Sequence, residues 1–134
     1  MISKASGLLT LDGVLIFPAM SEAELLAVSA AERGTSYDTT INYRVQSENW
    51  SAIAVFESAR LTQVRFAWNP GQRATLQNWS EDSEAALNDE HERMLTLWLG
   101  AKSWVSRDRA FSWGTVAAER DLHTGDASIV ITYD

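Results

Sequence analysis

Residues 39–68, TTINYRVQSENWSAIAVFESARLTQVRFAW, decide the fold. Apolar and polar residues alternate through three runs: Thr39 to Val45, Trp50 to Phe56 and Leu61 to Trp68. A strand sends successive side chains to opposite faces, so Ile41, Tyr43 and Val45 share one face. By the same period Val64, Phe66 and Trp68 oppose Gln63, Arg65 and Ala67. The breaks between runs are short and polar, which suits hairpins between antiparallel neighbours and leaves no room for a crossover helix. Asn69-Pro70-Gly71 stops the third strand, because proline cannot donate to the ladder and glycine permits a turn.

Toward the N-terminus, Leu8 to Leu11 and Val14 to Phe17 flank Asp12-Gly13, a dipeptide suited to the positive φ angles of a tight hairpin. The stretch MSEAELLAVSAAERG (20–34) then reads as a first helix. Ser21 and Glu24 have capping-box spacing, Met20 is placed to staple onto Leu25, and Gly34 is suited to end the helix in a left-handed conformation. Toward the C-terminus, a second helix is expected from Ser80 to just before Gly100. Its apolar stripe is Leu87, His91, Met94, Leu95 and Trp98, which fall within about 100° at 3.6 residues per turn. Two closing strands follow, Phe111 to Ala118 and Ser128 to Tyr133. The order ββαβββαββ has too few helices to cross over between parallel strands. The expected fold is therefore α+β, a mainly antiparallel sheet with two helices packed on one face, formed by residues 1–134 as a single domain.

Composition sets the broad class. With 46% hydrophobic and 22% charged residues, the chain is too apolar for disorder and ordinary for a globular protein. The absence of cysteine excludes disulfides, thiolate metal sites and a cysteine nucleophile. Near the N-terminus the apolar runs are interrupted by Thr10, Asp12 and Gly13, which argues against a signal peptide or a membrane span and makes the cytoplasm the expected compartment. A net charge of −7 disfavours nucleic acid and anionic membrane as partners and leaves a basic protein as the expected one.

Four features invite a functional reading. In SEDSEAALNDEHERM (80–94), six acids occur from Glu81 to Glu92 before the first base, Arg93. Glu81, Asp82, Asp89 and Glu92 lie within about 100° of one another on a helix, either as a solvated outer face or as a ridge for a basic partner. The first-turn acids also meet the helix dipole favourably, but Asp89 and Glu92 lie beyond its reach. His91 falls within the apolar stripe, where a buried imidazole with one nitrogen bonded is the ordinary outcome and a general base the alternative. Asp121, His123 and Asp126 of DLHTGD carry donors a divalent cation accepts, yet Asp and Gly are also what a hairpin loop needs for its backbone. Finally, of six tryptophans, Trp68, Trp98 and Trp113 fall on core-facing positions, whereas Trp79 and Trp104 flank the second helix, where exposed aromatics anchor protein interfaces. No phosphate-cradling glycine motif occurs, and no cofactor is expected.

The C-terminal region resembles a group of small bacterial proteins of unassigned activity. Their chains end in an aromatic-x-Trp-Gly hairpin with Asp and Gly in its loop, followed by an Ile/Val strand ending in Tyr. The matching positions here are Phe111, Trp113, Gly114, Asp121, Gly125, Ile129, Ile131 and Tyr133. Upstream, the group's His-x-x-Trp-Leu and following Gly are matched by His91, Leu95 and Gly100, with Met94 in place of the Trp. The similarity covers roughly the last fifty residues. Some members resemble immunity proteins encoded beside toxins, which implies a non-enzymatic binder that occludes a basic toxin domain. On that reading the partner-binding residues are Glu81, Asp82, Asp89, Glu92, Trp79 and Trp104. The alternative is a small hydrolase or metal-dependent enzyme using His91 or His123 with nearby carboxylates.

Overall fold

The computed structural model describes residues 1–27, 31–72, 80–106 and 108–134. Strands β1 (Leu9–Leu11) and β2 (Val14–Ile16) form a hairpin that is a sheet of its own. Helix α1 (Glu22–Leu26) follows, and then four strands, β3 (Ala31–Tyr37), β4 (Thr40–Gln46), β5 (Trp50–Glu57) and β6 (Arg60–Trp68). Helix α2 (Glu81–Leu99) leads to β7 (Arg109–Phe111), β8 (Gly114–Arg120) and β9 (Ala127–Tyr133). The seven later strands make one antiparallel sheet in the order β3-β4-β5-β6-β9-β8-β7. The expected α+β architecture holds, with β3 and β7 as strands added to the sequence reading.

Register shows which face is buried. Tyr43, Ala54, Val64, Ile131 and Val116 are successive cross-strand partners, and all five are buried. Phe66 and Ile129 form the neighbouring rung of the same core. The rung between them, Arg44, Ile53, Arg65, Val130 and Ala117, points to the other side, as a period of two requires. Leu9, Leu11 and Ile16 of the small hairpin, Leu25 of α1 and Leu95 and Leu99 of α2 join the same core cluster. Trp50 lies within an aromatic group, its ring 5.5 Å from Phe66, 5.0 Å from Trp68 and 5.9 Å from Trp98 of α2. These edge and tilted geometries favour ring quadrupoles while locking the helix onto β5 and β6.

Two expectations are corrected. The first helix starts as predicted: the Ser21 hydroxyl accepts from the Glu24 amide at 3.1 Å, and Glu24 Oε1 accepts from the Ser21 amide at 3.0 Å. It ends at Leu26, however, with Ala27 as its cap, and Gly34 lies inside β3 rather than closing a helix. The helix-forming Ala-Glu-Arg run is overridden by pairing with β4, where Glu32 faces Arg44. A β-carbon on Gly34 would sit 3.3 Å from the Asn42 carbonyl oxygen, so glycine serves close approach there. The register shifts between Arg33 and Ser36, a bulge of the kind that protects sheet edges. The second correction concerns Phe111 to Ala118, which is two strands joined by a two-residue turn, Phe111 pairing with Gly114 across Ser112-Trp113.

The Trp-Gly motif is explained by that turn. Trp113 stacks on Phe111 at 4.9 Å with 6° between planes, and its Nε1 donates to the Lys4 carbonyl at 2.9 Å. A β-carbon on Gly7 would lie 2.6 Å from the Trp113 ring, so the N-terminal segment is seated directly on the indole. The buried Tyr133 hydroxyl donates to the Gly7 carbonyl at 2.8 Å. Burial without a charged partner holds the Tyr133 phenol neutral, well above the usual tyrosine range.

Candidate partner-binding surface

Helix α2 begins where its sequence says it should. The Ser80 hydroxyl accepts from the Ser83 amide at 3.1 Å, and Glu81, Asp82 and Glu84 occupy the first turn. It ends at Gly100, whose φ of 89° is reached easily only by glycine and whose amide donates to the Thr96 carbonyl at 2.9 Å.

The six acids of this helix are not equivalent. Asp82 and Asp89 project from its exposed side. Glu81 is exposed and 4.0 Å from Arg120 of β8, and Glu90 pairs with Arg93 one turn along. Glu84 Oε2 accepts from the Ala127 amide at 2.7 Å, satisfying the first residue of β9. Glu92 is only 25% exposed, with Arg109 Nη1 and Lys102 Nζ each 3.6 Å from its carboxylate oxygens. The four-residue ridge opposite the apolar stripe is thus corrected at Glu92 alone. Glu92 is drawn onto the flank that Arg109 and Lys102 reach, while Glu81, Asp82 and Asp89 face water.

Trp104 is 95% exposed, as expected of an aromatic flanking α2. Leu97 at 82% and Val105 at 71% are exposed near it in the chain, and sequence reasoning missed both. Leu97 carried a signal, because it falls outside the His91–Leu95 stripe; Val105 carried none. Trp79 lies outside the described residues. Trp68, Trp98 and Trp113 are partly buried against the core, as their positions predicted.

Of the two histidines, His91 has a structural role and His123 is exposed. His91 is fully buried, and its Nε2 accepts from the Trp68 amide at 3.1 Å. That amide lies past the last β6–β9 pair, Phe66 with Ile129, so the imidazole takes the place of a strand partner. Accepting at Nε2 puts the proton on Nδ1 and requires the neutral ring. Desolvation lowers its pKa to about 4, with the Glu90 charge opposing more weakly. His123 lies in the β8–β9 loop, where Asp121 Oδ1 accepts from the amides of His123 and Thr124 at 2.7 and 3.0 Å. These two bonds, Thr124 foremost, hold the Asp121 carboxyl below its usual range. The Asp121 amide donates to the Asp126 carbonyl at 2.9 Å, closing the loop. Asp121 thus commits Oδ1 to its own turn. No group of three His, Asp or Glu side chains suited to a metal ion occurs among the described residues.

Comparisons with known proteins bear on the fold. No family model matches the chain. No curated protein matches it either. A chain of the solved structure "Rhs1-CT in complex with cognate immunity protein RhsI1" is similar, with a TM-score of 0.63 and 18% identity. The match covers 98% of this chain and 85% of that one. At such identity the likeness is one of fold, and it extends over nearly the whole molecule.

Proposed function

We propose that this protein is an immunity protein, a stoichiometric inhibitor that binds a cognate toxin domain and covers its active site in the cytoplasm of the producing cell. The observation that carries this reading is the near full-length fold likeness to a chain from a toxin–immunity complex. The surface of α2 supports it. Asp82 and Asp89, with Glu81 beside them, give an acidic face on a chain of net charge −7, which steers a basic partner into encounter. Trp104 supplies the aromatic anchor. Glu92 serves the same face from within, through its hold on Arg109 and Lys102.

The test is co-expression with the toxin domain encoded beside the gene. Growth is expected to be restored, and the two proteins to co-elute as a 1:1 complex. Continued toxicity with no complex formed by folded protein contradicts the reading. In the same system, Asp82→Lys with Asp89→Lys is expected to slow association about tenfold or more at low salt and to flatten its salt dependence, leaving dissociation nearly unchanged. Stopped-flow mixing across a salt series measures both.

A further inference from the structure

We infer that the cleft where β6 and β9 separate is a socket for an arginine or lysine side chain projected by the toxin domain. The inference rests on the immunity reading and names a place on this molecule that receives the partner.

The cleft is built by the fold. The last rung between the two strands is Phe66 with Ile129, yet β6 runs on to Trp68 and β9 begins at Ala127. Side chains of α2 satisfy amides past that rung: His91 Nε2 accepts from Trp68 at 3.1 Å, and Glu84 Oε2 accepts from Ala127 at 2.7 Å. The strands therefore stay apart without orphaning either donor. The space between them is about 550 Å³, the size of a small ligand site. Ala52, Trp68, Leu87 and Ala127 give it apolar walls.

Charge within the lining selects the occupant. Arg44, Arg65, Glu84, Asp121 and Asp126 are its charged members. Both arginines are matched by acids outside the cleft, Arg44 lying 3.5 Å from Glu32 and Arg65 3.4 Å from Glu119, with Arg65 Nε also donating to Gln63 at 3.0 Å. The three carboxylates form no ion pair among the described residues. Glu84 and Asp121 accept only from neutral amides, and Asp126 is exposed. At Asp121 the Thr124 and His123 amides act first and the Arg65 charge last. Negative charge is thus left on the side made by α2 and the β8–β9 loop. Apolar walls beneath carboxylates suit an amphipathic cation, whose methylene stem lies along hydrocarbon while its head reaches the acids. An acidic or purely apolar occupant would desolvate those acids with nothing to compensate them. A chain of net charge −7 is a poor source of that cation for its own copies, whereas a basic toxin surface supplies it.

The test is binding to the inactivated toxin domain encoded beside the gene. Glu84→Gln with Asp126→Asn removes two charges and keeps an acceptor for the Ala127 amide. This pair is expected to weaken Kd about thirtyfold, mainly through faster dissociation. Ala67→Phe, which fills the cleft without altering charge, is expected to weaken it as much. Asp89→Asn, outside the cleft, is expected to change dissociation less than about twofold. Alanine substitution of the toxin's exposed arginines and lysines is expected to find one whose loss adds nothing to the Glu84→Gln, Asp126→Asn pair. A normal wild-type complex that the isosteric pair, itself folded by its Tm, binds within about twofold overturns the socket and leaves the immunity reading standing. Weakening that couples to no basic residue of the toxin overturns the choice of occupant. A dimer of the free protein that the pair dissolves assigns the cleft to a second copy instead, and no wild-type complex at all sinks both readings.

Discussion

At the scale of single residues, glycine separates what is required by space from what is required by backbone conformation. Gly114 has φ of 151°, and a β-carbon there would overlap the Thr132 carbonyl oxygen on β9. Gly13 has φ of 84° with nothing near its missing β-carbon. Gly114→Ala is therefore expected to cost about 4 kcal/mol or more, and Gly13→Ala only the roughly 1–2 kcal/mol of a left-handed residue. Denaturant titration of the pair checks this, and equal losses would contradict it. The motif residues Trp113, Gly114 and Tyr133 were visible in the sequence, but their purpose was not. Alternation through 111–118 conceals a two-residue turn, because turn and strand both leave Phe111 and Trp113 on one side. Gly7, the residue that Trp113 and Tyr133 both serve, lies more than a hundred positions away in the chain and gave no local signal.

At the scale of elements, α2 was legible at both ends because its caps are local, Ser80 and Gly100 each acting within one turn. The end of α1 was not, since the strand that overrides it is chosen by β4, distant in sequence. Ser21→Ala removes the reciprocal cap and is expected to cost about 1 kcal/mol, measured by thermal unfolding. His91 gives α2 a pH signature. Its folded pKa of about 4 lies below the usual 6.5, so the unfolded chain takes up the proton first. Stability from this group is complete above pH 6.5 and is lost as pH falls toward 4, by about 3 kcal/mol in all. Asp12 and Asp121, both lowered by hydrogen bonds, lose their contributions only at lower pH, from their ordinary range downward. His91→Gln, which retains an acceptor for the Trp68 amide, is expected to flatten the curve between pH 6.5 and 4. An unchanged slope in that interval would show that the imidazole is not the titrating group.

At the scale of the whole molecule, the period-two runs of 39–68 fixed the faces of the central strands, and Tyr43, Val64 and Phe66 are buried as read. Strand order was out of reach, because the return of β9 beside β6 across α2, β7 and β8 depends on no local pattern. The acidic surface was legible in part. Asp82 and Asp89 face water as expected, but periodicity alone does not reveal that Arg109 reaches Glu92, since the two come from different elements. What distinguishes this surface is that it carries both exposed acids, Asp82 and Asp89, and an exposed indole, Trp104. Both are features that the proposed binding role uses. The most direct measurement is titration of the toxin domain's catalytic activity with this protein. A linear fall to zero at one equivalent is predicted; activity persisting at excess, or destroyed by far less than one equivalent, would contradict inhibition by occupancy.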